Sequence, residues 1–164
     1  MMTSVSEVDW KIEPRRLRVR RTFIQPTQEV RNLGVKLKHN ANSALVDGKR
    51  IVLIDDSIVR GTTSVKIVQM MRDAGAREVH MRIASPPTNN SCFYGVNTPE
   101  RSKLLAAQMS IEQMRDYINA DSLAFISIEG LYRALGQERD AAQPQRCDAC
   151  CTGDDPTVLT DFSE

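Results

Sequence analysis

With 164 residues and 22 basic against 21 acidic side chains, the chain is long enough for one well-packed domain and too short for two ordinary ones. The near balance of charge gives no whole-molecule reason to expect nucleic acid or a membrane surface as partner, so a charged ligand must be held by a local site. No apolar run approaches the ~20 residues of a membrane span, the start MMTSVSEVDW lacks a secretion-signal core, and four cysteines then suit thiols or metal ligands better than a disulfide framework.

A cytoplasmic location is therefore expected. Residues 1–21 are polar and then basic, with Arg15, Arg16, Arg18, Arg20 and Arg21 close together, and read as a solvated arm. Residues 23–40 suggest a short strand, a helical turn opening at Pro26, and a basic strand or loop carrying Lys36 and Lys38. Asp47-Gly48 marks a turn. The run RIVLID, Arg50–Asp55, is of the kind that fills a strand buried on both faces. Val65, Ile67, Val68, Met71 and Ala74 then recur at helical spacing over 64–74, and Gly75 stands where a helix ends. EVHMRIA, 78–84, reads as a second strand, making 50–84 a βαβ unit with parallel strands. Helices are expected over 99–108, 110–118 and 128–135, and a strand over 122–126. From Gly136 onward an irregular tail is expected to pack only where its cysteines are held.

The loop between the first strand and helix carries the chemistry. In open α/β sheets ligands sit beyond the carboxyl ends of the strands, where Asp55 and Asp56 lie. Ser57, Thr62, Thr63 and Ser64 add hydroxyls, Gly61 lets the backbone come close, and a helix start offers free N–H groups with partial positive charge. Together these make a phosphate cradle, although neither G-x-x-x-x-G-K-[ST] nor G-x-G-x-x-G occurs. A carboxylate at the rim would repel phosphate, so the acids face another part of the ligand, most simply a sugar diol. The ligand so described is a ribose 5-phosphate. If the anomeric bond breaks, two fixed anions beneath the ring stabilise the growing positive charge, and they can also reach a hydrated magnesium ion on a pyrophosphate leaving group.

"VLIDDSIVRGTTS" resembles the phosphoribosyl pyrophosphate (PRPP) motif of the type I phosphoribosyltransferases. With "RTFIQPTQEVRNLGVKLKHNAN", "SPPTNNSCFYGVNTPERSKLLAA" and "ADSLAFISIEGLYRALG", it is similar to the amidophosphoribosyltransferase family over about residues 21–157. The resemblance implies a partial type I phosphoribosyltransferase fold, α/β, with a mostly parallel sheet flanked by helices and an irregular C-terminal tail. It divides the chain into an unmatched basic arm (1–21), the C-terminal part of the phosphoribosyltransferase domain (22–136) and a cysteine-containing tail (137–164). The implied activity forms 5-phosphoribosylamine, glutamate and pyrophosphate from PRPP, glutamine and water, the committed step of purine synthesis. Asp55 and Asp56 would contact the ribose and magnesium, and Ser57, Ile58, Val59, Arg60, Gly61, Thr62, Thr63 and Ser64 would line the PRPP site. Arg21 and Thr22 would edge a mobile lid that shields the sugar from water. Purine nucleotides are the implied inhibitors, and the full-length enzyme would be a homo-oligomer. A non-catalytic PRPP-binding regulatory module is the alternative.

The family's glutaminase nucleophile is an N-terminal cysteine, whereas this chain begins Met1-Met2-Thr3 and its first cysteine is Cys92. The expectation is a truncated or frame-shifted product that joins the family's sequence near Arg21 and lacks the glutaminase half. Cys147-Asp148-Ala149-Cys150 is a lone C-x-x-C, a weak metal signal by itself. Resemblance to the family's iron–sulfur subgroup implies that Cys92, Cys147 and Cys150 are three of four ligands to a [4Fe–4S] cluster, with zinc as the chemical competitor and unligated thiols as the expected state of this chain. His39 and His80 are too isolated to suggest a metal site or triad.

Overall fold

The computed structural model describes residues 43–140, 142 and 145–157. Arg21, Thr22, Lys36, Lys38 and His39, and with them the expected arm and lid, lie outside the described residues. The elements run α1 (Ser43–Val46), β1 (Arg50–Asp55), α2 (Thr62–Asp73), β2 (Glu78–Ile83), a 3-10 turn (Arg101–Lys103), α3 (Leu105–Gln108), α4 (Ile111–Tyr117), β3 (Ser122–Phe125), α5 (Ile128–Ala134) and α6 (Ala149–Thr152). The described strands form one parallel sheet in the order β1-β2-β3, with Arg50 opposite Glu78 and His80 opposite Ser122. This is the expected α/β architecture.

α2 crosses from β1 to β2 and ends as its sequence foretells. Gly75 takes φ 94°, and its N–H bonds Arg72 O at 2.9 Å while that of Ala76 bonds Met71 O at 3.0 Å, the paired closure of a Schellman motif. α4 opens on a capping box between Ser110 and Gln113, which satisfies two otherwise orphaned donors. The core lies on one face of the sheet. There Val79, Met81 and Ile83 of β2 are at most 3% exposed and meet Val68 of α2, Met114 of α4 and Ile118 just beyond it. Burying side chains of this size contributes roughly 1.5–3 kcal/mol each.

Three expectations need correction. First, β1 is not buried on both faces: Val52 and Ile54 are 60% and 63% exposed. α2 and α4 both pack on the opposite face, and the open face carries Arg50, Val52, Ile54, Glu78, His80 and Arg82 at matched register. Second, the helix expected over 99–108 is broken. Leu104 is extended (φ −81°, ψ 123°) between the 3-10 turn and α3, which lets neighbouring Leu104 and Leu105 both turn inward, at 0% and 5% exposure; consecutive residues of a continuous helix would diverge by about 100°. Third, the tail packs at its cysteine segment through groups other than the thiols. Arg139 pairs with Asp148, Tyr132 Oη donates to Arg146 O at 3.2 Å, and the N–H groups of Asn89 and Asn90 both donate to Cys150 O at 3.0 Å.

Candidate functional site

β1 delivers Asp55 to the carboxyl end of the sheet, where its carbonyl accepts from Ala84 N–H at 2.9 Å and so fixes the strand end against β2. The next carboxylates bend the backbone on themselves. Asp55 Oδ1 accepts from Asp56 N–H at 3.0 Å, and Asp56 Oδ1 accepts from Ser57 N–H at 2.7 Å. Asp56 is exposed and Asp55 half-buried. The pair thus occupies the rim expected of it.

Gly61 is the N-cap of α2 with φ 74° and ψ −12°, and no side chain caps the helix. Its left-handed backbone suits glycine, and the first-turn N–H groups of Thr62, Thr63 and Ser64 are left for an incoming acceptor. Thr62 and Arg60 are exposed, and Ser57, Val59 and Thr63 half-buried. Two predicted residues face elsewhere. Ile58 and Ser64 are each 2% exposed; Ile58 belongs to the core, so both can serve a ligand through their backbone only.

Sequence reasoning missed what the loop rests on. Val59 O accepts from Leu105 N–H at 2.8 Å, and a Cβ on Gly61 would stand 2.7 Å from Leu105 Cδ2 and 3.1 Å from Tyr117 Cε1. Both partners lie more than 40 residues down the chain, where neither periodicity nor local motif ties them to the loop. Among the described residues one buried polar side-chain atom, Ser85 Oγ, has no partner. It lies next to Ala84 at the strand end and is an orphan of the kind that a bound water or ligand hydroxyl satisfies.

Two carboxylates close to a helix start that no side chain caps suit magnesium, which keeps most of its waters and is bound by one or two carboxylates plus substrate phosphates. The cysteines lie on two segments that meet through their backbones. The bonds from Asn89 and Asn90 to Cys150 O bring the backbone of the Cys92 segment against α6. The N–H groups of Tyr94 and Val96 point at Cys92 and lower its thiol pKa, while burial pushes Cys151 up to about 12, helped by Cys150 with Sγ 3.8 Å away. Yet no group of three His, Cys, Asp or Glu side chains among the described residues converges to hold a metal ion. Cys92, Cys147 and Cys150 therefore do not by themselves form a site for a single ion such as zinc. His80 is a packed strand histidine, 2.8 Å from Ser122 Oγ and 3.0 Å from Glu78 Oε2.

The parallel sheet, the acid pair and the glycine-led helix start define the C-terminal part of a type I phosphoribosyltransferase fold. Within that class the chain is related to the amidophosphoribosyltransferases, matching their C-terminal phosphoribosyltransferase portion. It is 62% identical to the amidophosphoribosyltransferase of Rhizobium etli over 145 residues, 87% of this chain and 29% of that one. With that of Bacillus subtilis it shares 50% identity over 141 residues, covering 86% and 30%. Among solved structures, the B. subtilis glutamine PRPP amidotransferase complexed with ADP and GMP matches with a TM-score of 0.71 at 48% identity, over 87% of this chain and 32% of that one. A structure described as the allosteric regulatory enzyme of purine biosynthesis matches with a TM-score of 0.73 at 47% identity, over 89% and 32%. The chain thus spans less than a third of the length of these relatives. No protein-family model matches it. No helix among the described residues is long and apolar enough to cross a membrane.

Proposed function

We propose that this chain binds PRPP with magnesium and supplies the PRPP-binding part of an amidophosphoribosyltransferase, the pentosyltransferase that makes 5-phosphoribosylamine from PRPP and glutamine in purine synthesis. One observation carries the reading: Asp55 and Asp56, at the end of β1, lead within a few residues into the uncapped first turn of α2 at Gly61. The N–H groups of that turn and the hydroxyls of Ser57, Thr62 and Thr63 hold the 5-phosphate. Asp55 and Asp56 accept hydrogen bonds from the ribose hydroxyls. As the anomeric bond breaks, positive charge spreads over the ring, and these carboxylates stabilise it more than they stabilise the ground state. Asp55 and Asp56 would hold magnesium, which when bound would neutralise charge on the pyrophosphate leaving group. A nucleoside monophosphate shares the ribose 5-phosphate unit, so the same loop accepts purine nucleotides as competitors; ADP and GMP are the nucleotides named with the B. subtilis structure.

Calorimetric titration of PRPP and magnesium into the full chain tests this, with Asp55→Asn/Asp56→Asn as the control. Binding by the wild type and a loss of at least about tenfold in the control are expected. A folded wild-type chain that takes up no PRPP ends the proposal. Formation of phosphoribosylamine from PRPP and ammonia then separates an enzyme part from a PRPP-binding regulatory module, which binds without turnover.

A further inference from the structure

The phosphate loop does not stand on β1 and α2 alone. Leu105 is the first residue of α3, so its N–H is one of the donors a helix cannot satisfy internally, and it is given to Val59 O at 2.8 Å. The extended Leu104 before it makes this possible by ending the 3-10 turn and starting α3 afresh. Two residues further along the loop, Gly61 lies so close to the α3–α4 pair that a Cβ there would meet Leu105 Cδ2 at 2.7 Å and Tyr117 Cε1 at 3.1 Å. Leu105 is 5% exposed, whereas Tyr117, the last residue of α4, is 44% exposed. A large ring at a surface position with its edge against a backbone glycine contributes little to the core. Its contact is with the residue whose dihedral angles aim the first turn of α2.

We propose that Tyr117 and Leu105 are positioning residues for the 5-phosphate. They act through Gly61 and Val59, holding the loop backbone so that the N–H groups of residues 62–64 converge on one anion. This rests on the PRPP reading of the loop and adds a seat contributed by a separate helix pair. The ring edge makes the contact, so the aromatic ring matters and the phenol oxygen does not. Leu105 anchors the same backbone but also belongs to the core, which makes Tyr117 the informative position.

The test uses the full chain with Tyr117→Ala and Tyr117→Phe, and two readouts that a purely structural role would leave unchanged. Without ligand, hydrogen exchange of the amides over 57–64 is expected to speed up in Tyr117→Ala and to match wild type in Tyr117→Phe, with the thermal midpoint unmoved in both. With ligand, Tyr117→Ala is expected to bind ribose 5-phosphate roughly tenfold more weakly, and Tyr117→Phe to retain wild-type affinity. Unchanged exchange, or unchanged ribose 5-phosphate affinity in Tyr117→Ala beside a binding wild type, overturns the inference. If the wild type itself fails to bind, the PRPP reading falls with every claim about ligand, while exchange over 57–64 still decides whether Tyr117 seats the loop.

Discussion

Arg139 Nε lies 2.7 Å from Asp148 Oδ2, with 16% and 12% of the two side chains exposed. Asp148 sits inside the C-x-x-C segment, and the hydrogen bond from Arg139 is the main reason its carboxyl titrates below the ordinary value of 3.8. Removing Arg139 leaves the half-buried Asp148 carboxylate without its main partner, a loss that falls on the tail. Arg139→Ala is expected to open 145–157 to limited proteolysis and leave the sheet folded. Because the folded pKa is depressed, the stabilisation is full above about pH 4 and is lost as pH falls through the lower folded value. Proteolysis of the wild-type tail at a series of acidic pH values checks the sign.

Asp121 clips β2 to β3 and α2. Its Oδ2 accepts from Val79 N–H at 2.6 Å and from Arg72 Nη2 at 2.8 Å, and the Val79 amide is the leading cause of its lowered pKa. Here too the stabilisation is present above the ordinary carboxylate range and lost below it. Solvent reaches this pair, so Asp121→Ala is expected to cost about 1 kcal/mol, read as a lower denaturant midpoint at neutral pH. The gap between wild type and variant should narrow as pH falls below the ordinary carboxylate range.

Met81 occupies the middle of β2 at 1% exposure, between Leu53 and Leu123 in register. Met81→Ala is expected to destabilise the domain by ~2–5 kcal/mol in denaturant unfolding. Val52→Thr and Ile54→Thr on the open face should each stay within about 0.5 kcal/mol of wild type. Losses as large as that of Met81→Ala on both faces would show the open face to be covered in solution.

Much of this was legible in the chain. Arg50–Asp55 as a strand, a helix closed at Gly75 and a parallel second strand follow from apolar spacing and glycine placement, and the acid–glycine–hydroxyl order picks out the candidate site. The break at Leu104 was not legible, because a buried Leu-Leu pair suits a helix pattern and an extended kink equally until the core demands both side chains. The exposure of Val52 and Ile54 was hidden for a related reason: composition reports that a residue is apolar, while its face is decided by which side the helices choose. Tyr117 and Leu105 meet Gly61 only through tertiary packing, for which the sequence carries no local sign.

Gly61→Ala joins two penalties, a left-handed backbone that disfavours a side chain by roughly 1–2 kcal/mol and the overlap with Leu105. The expected outcome is loss of ribose 5-phosphate binding in titration, with a lowered thermal midpoint.

The described strands lie across the sheet in the order in which they leave the ribosome. β1 meets β2 over a separation of 28 residues, at Arg50 and Glu78, and β2 meets β3 over 42, at His80 and Ser122. Short closures of this kind cost little chain entropy and favour rapid assembly. The βαβ unit bearing both aspartates can therefore close while β3 is still being synthesised, but the loop beside them acquires its Leu105 and Tyr117 support only afterwards. The acid pair is thus carried by a unit closed between nearby segments, whereas the seating of the loop beside it waits for α3 and α4.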